Sequence, residues 1–425
     1  MTSFTKRSNK IKNIGFISTR IAGTDGVSLE IKKWSEVLAR CGYDCFYFAG
    51  KLDRPSQQSL RIEEAYFGNP IIQDIDKDVF GKRIRKQETS KIVQKIKDKL
   101  KACLYDFHKK FKIDLIIPEN ALTIPMNIPL GIAVTEFIAE TCVPTIAHHH
   151  DFFWERNRFL VNACRDYLNM AFPPDMPSIR HIVINSLSSE QLSTRLGISN
   201  TVIPNVLNFA VQPSPLDEYC DDLKERIGLN NDDIFVLQPT RVVPRKWIER
   251  SIEIVRSLKL PKPLLVVSHA TGDEGSYYYQ RILEYAKNLG VKLVAIDHLI
   301  AKARGINEKG EKLYTIADVQ KCADLITYPS GYEGFGNAFL EAIYYKKPIV
   351  INRYSIYVAD IEPKGFDVIL FEGFVTNHVI ERIKSVLEDK ERLEKTVEKN
   401  YQIAQKHYSF EVLEEKLIHL IQTFS

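Results

Sequence analysis

The chain has 425 residues, long for one core and suited to two domains of about 200 residues each. Hydrophobic residues make up 44% and charged residues 26%, an ordinary globular balance, and a net charge of +4 is too small to point to nucleic acid. The seven cysteines are scattered without a CxxC pair, so neither a structural zinc site nor a disulfide framework is expected, and reduced cytosolic thiols fit best. The first twelve residues, MTSFTKRSNKIK, are polar and basic with no apolar run behind them. No stretch of about 18 apolar residues occurs. The expectation is a cytoplasmic protein that binds no nucleic acid.

Along the chain, short apolar runs alternate with turns and helical stretches, the pattern of parallel strands joined by crossover helices. Lys12–Ser18 reads as the first strand and Ser28–Cys41 as the helix after it. Strands follow at Cys45–Ala49, Asp114–Ile117, Val143–His148, His181–Asn185 and Thr201–Pro204. A Pro- and acid-rich break covers Leu207–Asp233. The alternation then restarts with strands at Ile234–Pro239, Leu264–Ser268, Lys292–Ile296, Leu325–Tyr328 and Pro348–Asn352. Thr376–Phe424 reads as nearly all helix. The expected fold class is α/β, with two doubly wound units: residues 1–207, and residues 208–408 with a last helix at about 409–425 packing back on the first. Ligands of such folds lie at the carboxyl ends of strands.

The most informative stretch is YPSGYEGFGNAFLEAIYYKKPIVIN, residues 328–352. A strand ends at Pro329, and a loop with Gly331, Gly334 and Gly336 leads straight into a helix. Such a loop brings backbone amides and the positive end of a helix close to an anion. Glu333 and Glu341 flank that cradle eight positions apart, where two carboxylates suit recognition of hydroxyls. A helix cap with a surface glutamate is the other explanation of the spacing.

The segment Glu333-Gly-Phe-Gly-Asn-Ala-Phe-Leu-Glu341 resembles the Glu-x7-Glu motif of the retaining, family-four GT-B glycosyltransferases. That resemblance implies two facing Rossmann-like domains with a cleft between them. It puts Glu333 on the transferred sugar, the Phe335, Gly336, Asn337 and Ala338 segment on the donor diphosphate, and Glu341 on the nucleotide ribose. Gln238–Trp247, QPTRVVPRKW, is similar to the family's Gly-Arg-x4-Lys-Gly segment, so that Arg241 and Lys246 would neutralise the diphosphate that builds up negative charge on cleavage. Pro239 or Thr240 stands where the first glycine is usual and Trp247 where the second is, which leaves the local backbone open.

Gly23-Thr-Asp-Gly-Val-Ser28 resembles the family's first Gly-rich loop, with Gly26 facing the donor; a simple turn reads as well. His148-His-His-Asp151 ends a buried strand where the family has His-Asp. The resemblance places His150 on the transferred sugar and makes Asp151 its orienting partner. Adjacent strand residues point to opposite faces, so a three-histidine metal site is not expected. Asn205 resembles the family's turn at the domain junction. In Phe152-Phe-Trp-Glu-Arg-Asn-Arg158, the residues Trp154, Glu155, Arg156 and Arg158 suggest an acceptor pocket, with a stacking ring and anion-binding guanidinium groups. The stretch is similar to that of mannosylglucosylglycerate synthase-like members, which implies a small acidic acceptor; the start of an amphipathic helix is the other explanation.

The family route is front-face transfer with retention, from a UDP- or GDP-hexose to a hydroxyl of a small or saccharide acceptor, the leaving diphosphate assisting deprotonation. Asp74-Ile-Asp76 spells a DxD pair but reads as a surface loop, so no obligatory metal or other cofactor is expected; the nucleotide sugar is a substrate. The nucleotide base is expected against the loops Ser268–Gly275 and Asp297–Ile300. Lys82–Lys112 carries twelve Lys or Arg against three Asp or Glu, with an apolar stripe at helical spacing. A helix packed on the sheet is the preferred reading, and peripheral docking on an anionic membrane the alternative. A sugar-nucleotide epimerase and a non-catalytic sugar-nucleotide-binding protein are the rival functions.

Overall fold

The computed structural model describes residues 11–230, 232–259, 263–269 and 277–424. The chain divides into two units, Met1–Asn205 with Phe410–Ser425, and Val206–Ser409.

In the first unit the main sheet has strands β1 (Asn13–Ile17), β2 (Asp44–Ala49), β3 (Ser59–Arg61), β4 (Leu115–Pro118), β5 (Thr145–His149), β6 (Ile179–Val183) and β7 (Asn200–Val202). All pairings are parallel, in the order β3-β2-β1-β4-β5-β6-β7. The central strands are buried on both faces, which is why they read as continuous apolar runs. Helices Gln87–Phe111 and Ile128–Thr141 cover one side together. Of the basic helix, Val93, Ile96, Leu100, Leu104, Phe107 and Phe111 lie in the core, while Lys97 and Lys101 pair with Glu136 of its neighbour at 3.1 and 2.7 Å. None of the described helices is long and apolar enough to cross a membrane.

Asp74 and Asp76 are not in a loop. They sit on helix Pro70–Val79, whose Asn69 side chain caps the Ile71 amide. Asn69-Pro70 is an N-cap followed by a first-turn proline, so the stretch expected as a surface loop is helical. The half-buried Asp76 carboxyl is pushed up to about 7 by desolvation, which Arg158 opposes.

The last helix, Phe410–Gln422, packs on helix Gly26–Arg40 of the first unit. The Arg40 guanidinium stands 5.1 Å from the Phe410 ring centre, and Lys416 donates to the Val202 carbonyl.

The second unit repeats the scheme with β8 (Phe235–Gln238), β9 (Leu264–Val267), β10 (Leu293–Ala295), β11 (Leu325–Tyr328), β12 (Ile349–Asn352) and β13 (Ile369–Phe371). Their order is β10-β9-β8-β11-β12-β13, again all parallel. Both sheets therefore run outward from a first strand and then turn back, the Rossmann order, with its switch points between β1 and β4 and between β8 and β11. Helices Ile248–Leu258 and Asn377–Glu388 share one core with the sheet.

Alternation along β5 sends His149 away from its two histidine neighbours. It hydrogen-bonds Thr123 and, at 2.9 Å, the His181 ring. Burial holds His149 well below its usual pKa and His181 at about 4. Both rings are neutral in the fold but take up protons near pH 6.5 once unfolded. Stability is thus complete above about pH 6.5 and falls as the pH drops towards about 4. Urea titrations at pH 7 and pH 5 are expected to show this loss, and His181→Gln to reduce it.

Candidate active site

In the second unit the loops after β8 and β11 meet at the switch point. They are tied directly, the Gly331 amide donating to the Arg245 carbonyl at 2.9 Å. Glu333 is the hub. One carboxylate oxygen accepts from Arg245 Nη1 at 2.8 Å and the other from Lys246 Nζ. The Glu333 and Lys246 side chains are each only 8% exposed, so the pair is largely shielded from water. Burial alone would raise the Glu333 carboxyl, but Lys246 and Arg245 outweigh it and hold the group ionised. For Lys246, burial lowers the ammonium pKa, Glu333 opposes, and Arg245 and Arg241 reinforce the lowering. Three cations (Arg241, Arg245, Lys246) against one carboxylate leave +3 − 1 = +2. Such a surplus suits a diphosphate.

Trp247 occupies the position of the family's second glycine with φ 46° and ψ 48°, the left-handed conformation a glycine takes freely. The strain is of order 1–2 kcal/mol. Its indole fills the space beside Gly331, where a methyl group would stand 2.6 Å from Trp247 Cε2. The departure in sequence thus keeps the turn.

Gly336 has φ +124° and precedes helix Asn337–Tyr344. Its carbonyl accepts from the Phe339 amide, so the backbone of Phe335, Gly336, Asn337 and Ala338 forms the start of that helix, its electropositive end. Tyr354 Oη donates to the Phe335 carbonyl at 2.7 Å and braces the loop, while the Phe335 ring packs on Tyr408. Glu341, on the next turns, accepts from Gln320 Nε2 at 2.9 Å. Arg241 is exposed; the His269 pKa is lowered first by burial and then by the charges of Arg241 and Lys246. Arg245, Tyr354, Gln320 and His269 were not singled out from sequence. Arg245 lay in plain view beside Lys246; the others are distant in sequence and only the fold brings them near. Of the expected base-binding loop, residues 270–275 lie outside the described residues.

In the first unit Gly26 opens helix Gly26–Arg40, capped by Asp25. Asn205 is the last residue before the unit boundary. His148 and His150 share one side of β5, and both rings reach Glu119, at 2.7 and 2.6 Å. Among the described residues no hydrogen bond joins Asp151 to the His150 ring; the Asp151 carboxylate accepts from Arg156 and, at 3.3 Å, from Asn120. The chain leaves the extended strand at His150, which turns Asp151 aside.

The four expected acceptor residues are partly engaged in the fold. Trp154 stacks on Phe152 with ring centres 4.4 Å apart and donates to Gln191. Glu155 accepts from the Phe152 amide at 2.6 Å and from Gln191 at 3.3 Å. Arg156 is paired with Asp151, and Arg158 is exposed over the Phe159 ring. The set clusters just beyond β5, with Glu155 and Arg158 exposed and Trp154 and Arg156 half-buried.

Two parallel sheets in Rossmann order, one carrying a cationic loop pair at its switch point, define a two-unit α/β architecture whose switch point suits an anionic ligand. Residues 221–403 match the family model described as "Glycosyl transferases group 1". The chain is 30% identical to a mannosylglucosylglycerate synthase of Thermotoga maritima, over 95% of this chain and 98% of the relative. It is 31% identical to one of Petrotoga mobilis, over 84% and 86%. Among solved structures, a glycosyltransferase of Rickettsia africae superposes with a TM-score of 0.70 at 13% identity, covering 97% of this chain and 98% of that one. Anabaena HepE, in complex with UDP-glucose, gives 0.63 at 13% identity, over 97% and 99%. The chain belongs to the group 1 glycosyltransferases, enzymes of the GT-B fold.

Proposed function

We propose that the enzyme transfers a hexose, with retention, from a UDP- or GDP-sugar held by the second unit to a hydroxyl of a small acidic glycoside. The observation that carries the donor half is the Arg245–Glu333–Lys246 pairing at the β8/β11 switch point, beside the helix start at Gly336. Arg241, Lys246 and Arg245 meet the diphosphate, the amides from Phe335 to Ala338 donate to its oxygens, Glu333 lies next to the sugar and Glu341 reads the ribose. As the diphosphate arrives it competes for Lys246, which loosens Glu333 towards the sugar. The leaving phosphate then takes the acceptor proton as the new glycosidic bond forms on the same face. Positioning and electrostatics supply the acceleration, and no metal is required. Turnover is accordingly expected to survive EDTA.

The acceptor half rests on Arg156 and Arg158 and on the full-length similarity to enzymes whose name describes a product of mannose, glucose and glycerate. Glucosylglycerate is the acceptor that fits, its carboxylate meeting a guanidinium. A direct test incubates the enzyme with UDP- and GDP-hexoses and glucosylglycerate and follows the product by NMR. One disaccharide-glycerate whose new bond keeps the donor's anomeric configuration is expected; inversion, or hydrolysis without transfer from every donor, refutes the reading. Arg156→Ala is expected to raise the acceptor KM about tenfold, as loss of one charge-assisted contact should, with the donor KM little changed. Equal acceptor KM values in the two proteins would remove Arg156 from the pocket.

A further inference from the structure

The first unit holds a fully buried carboxylate that no motif singled out. Glu119 follows β4 directly, at the β1/β4 switch point. Its backbone is fixed on both sides: the amide donates to the Ile17 carbonyl at 2.8 Å, and the carbonyl accepts from Ser18 Oγ at 3.1 Å. The side chain is 0% exposed. One oxygen, Oε1, stands 2.7 Å from His148 Nδ1 and is hydrogen-bonded to His150 Nε2 at 2.6 Å. The His148 ring is itself stacked on Trp34, 4.1 Å between centres, so it cannot swing away. Ligands around a metal each stand about 2 Å from the ion and hence about 3 Å or more from one another. The nitrogen–oxygen separations here are shorter than that.

We propose that Glu119 is the positioning residue for His150: it grips the ring by Nε2–H and leaves Nδ1–H to be donated to a substrate oxygen. This rests on the glycosyl-transfer reading above. Among the described residues Nδ1 takes part in none of the ring's hydrogen bonds, and the His150 side chain retains 12% exposure, so one edge is reachable. Burial alone would strip the ring of its proton. The bond to Glu119 and its charge, joined by Glu30 from helix Gly26–Arg40 and by Asp151, outweigh burial and raise the His150 pKa. Glu30 is itself paired with Lys33 at 3.0 Å, and Asp151 with Arg156, whereas Glu119 is bonded to the His150 ring directly. Burial would raise Glu119, but His148 and His150 hold it down to about 2. It stays an anion throughout the physiological range.

The test is Glu119→Gln in the full-length enzyme, read by the NMR titration of His150 (assigned by its loss in His150→Gln) and by the pH dependence of kcat. In the parent, kcat should fall on the alkaline side as His150 loses its proton. In Glu119→Gln both the NMR pKa and that limb should move down by at least one pH unit, while the donor KM changes less than threefold. Glu119→Asp, which keeps the charge on a shorter arm, should restore the pKa more than the rate and serves if the glutamine variant folds poorly. Unchanged His150 titration in both variants overturns the proposal, as does a cobalt(II) absorption band that the parent shows and Glu119→Gln lacks. Full activity in His150→Gln together with a lowered His150 pKa in Glu119→Gln would instead overturn the role of His150 and leave the electrostatic coupling standing.

Discussion

Replacing Lys246 by methionine is expected to lower kcat/KM by about 10²–10³-fold, the loss seen when one preorganised donor to a developing charge is removed. The substitution keeps most of the buried volume and deletes the ammonium that faces Glu333 and, when donor is bound, the diphosphate. Its structural cost is bounded, because Arg245 remains on the other carboxylate oxygen at 2.8 Å. The fall should sit in kcat more than in donor KM, since the charge grows as the bond to the leaving group breaks. Stopped-flow product formation with saturating donor reads it. A Lys246→Met enzyme within threefold of the parent would move the diphosphate away from this loop.

Gly336→Ala is the second large effect, and it arises from backbone rather than charge. With φ at +124° the position suits glycine alone, and an alanine methyl would stand 2.5 Å from Tyr354 Oη. That hydroxyl braces the Phe335 carbonyl and belongs to a ring only 2% exposed, packed by Tyr328 and Tyr357. Strain of roughly 1–3 kcal/mol and a lost hydrogen bond of about 1 kcal/mol should lower the melting temperature of the second unit by roughly 5–15 °C. The loop that starts the helix shifts with it, so donor KM should rise more than tenfold. Calorimetry and initial rates check both, and a variant with parental Tm and KM would contradict the geometry.

The fold was legible because parallel strands buried on both faces write themselves as apolar runs, and β1, β4, β8, β11 and β12 all did. What was hidden was hidden for local reasons. Ile128–Thr141 is apolar nearly all round, so it carries no helical stripe to read. Asn69-Pro70 spells a turn and a helix start in the same letters. The candidate site was legible where chemistry and backbone coincide in a few residues, as in Glu333–Glu341 and Arg241–Lys246. It was illegible where a contact joins distant residues: Gln320 to Glu341, Tyr354 to Phe335, and Glu119 to His150. Asp151 was expected to orient His150 because it follows it in sequence; its carboxylate accepts from Arg156, while the His150 ring meets Glu119, which lies just past β4 and 31 positions away.

The central claim is that a nucleotide sugar is held by the loops after β8 and β11, and amide hydrogen exchange tests it most directly. Exchange in the full-length enzyme should slow in peptides covering 241–247 and 333–341 when UDP- or GDP-hexose is added to saturation, and Lys246→Met should weaken that protection. Protection confined to other segments, with these two unchanged at saturating donor, would contradict it.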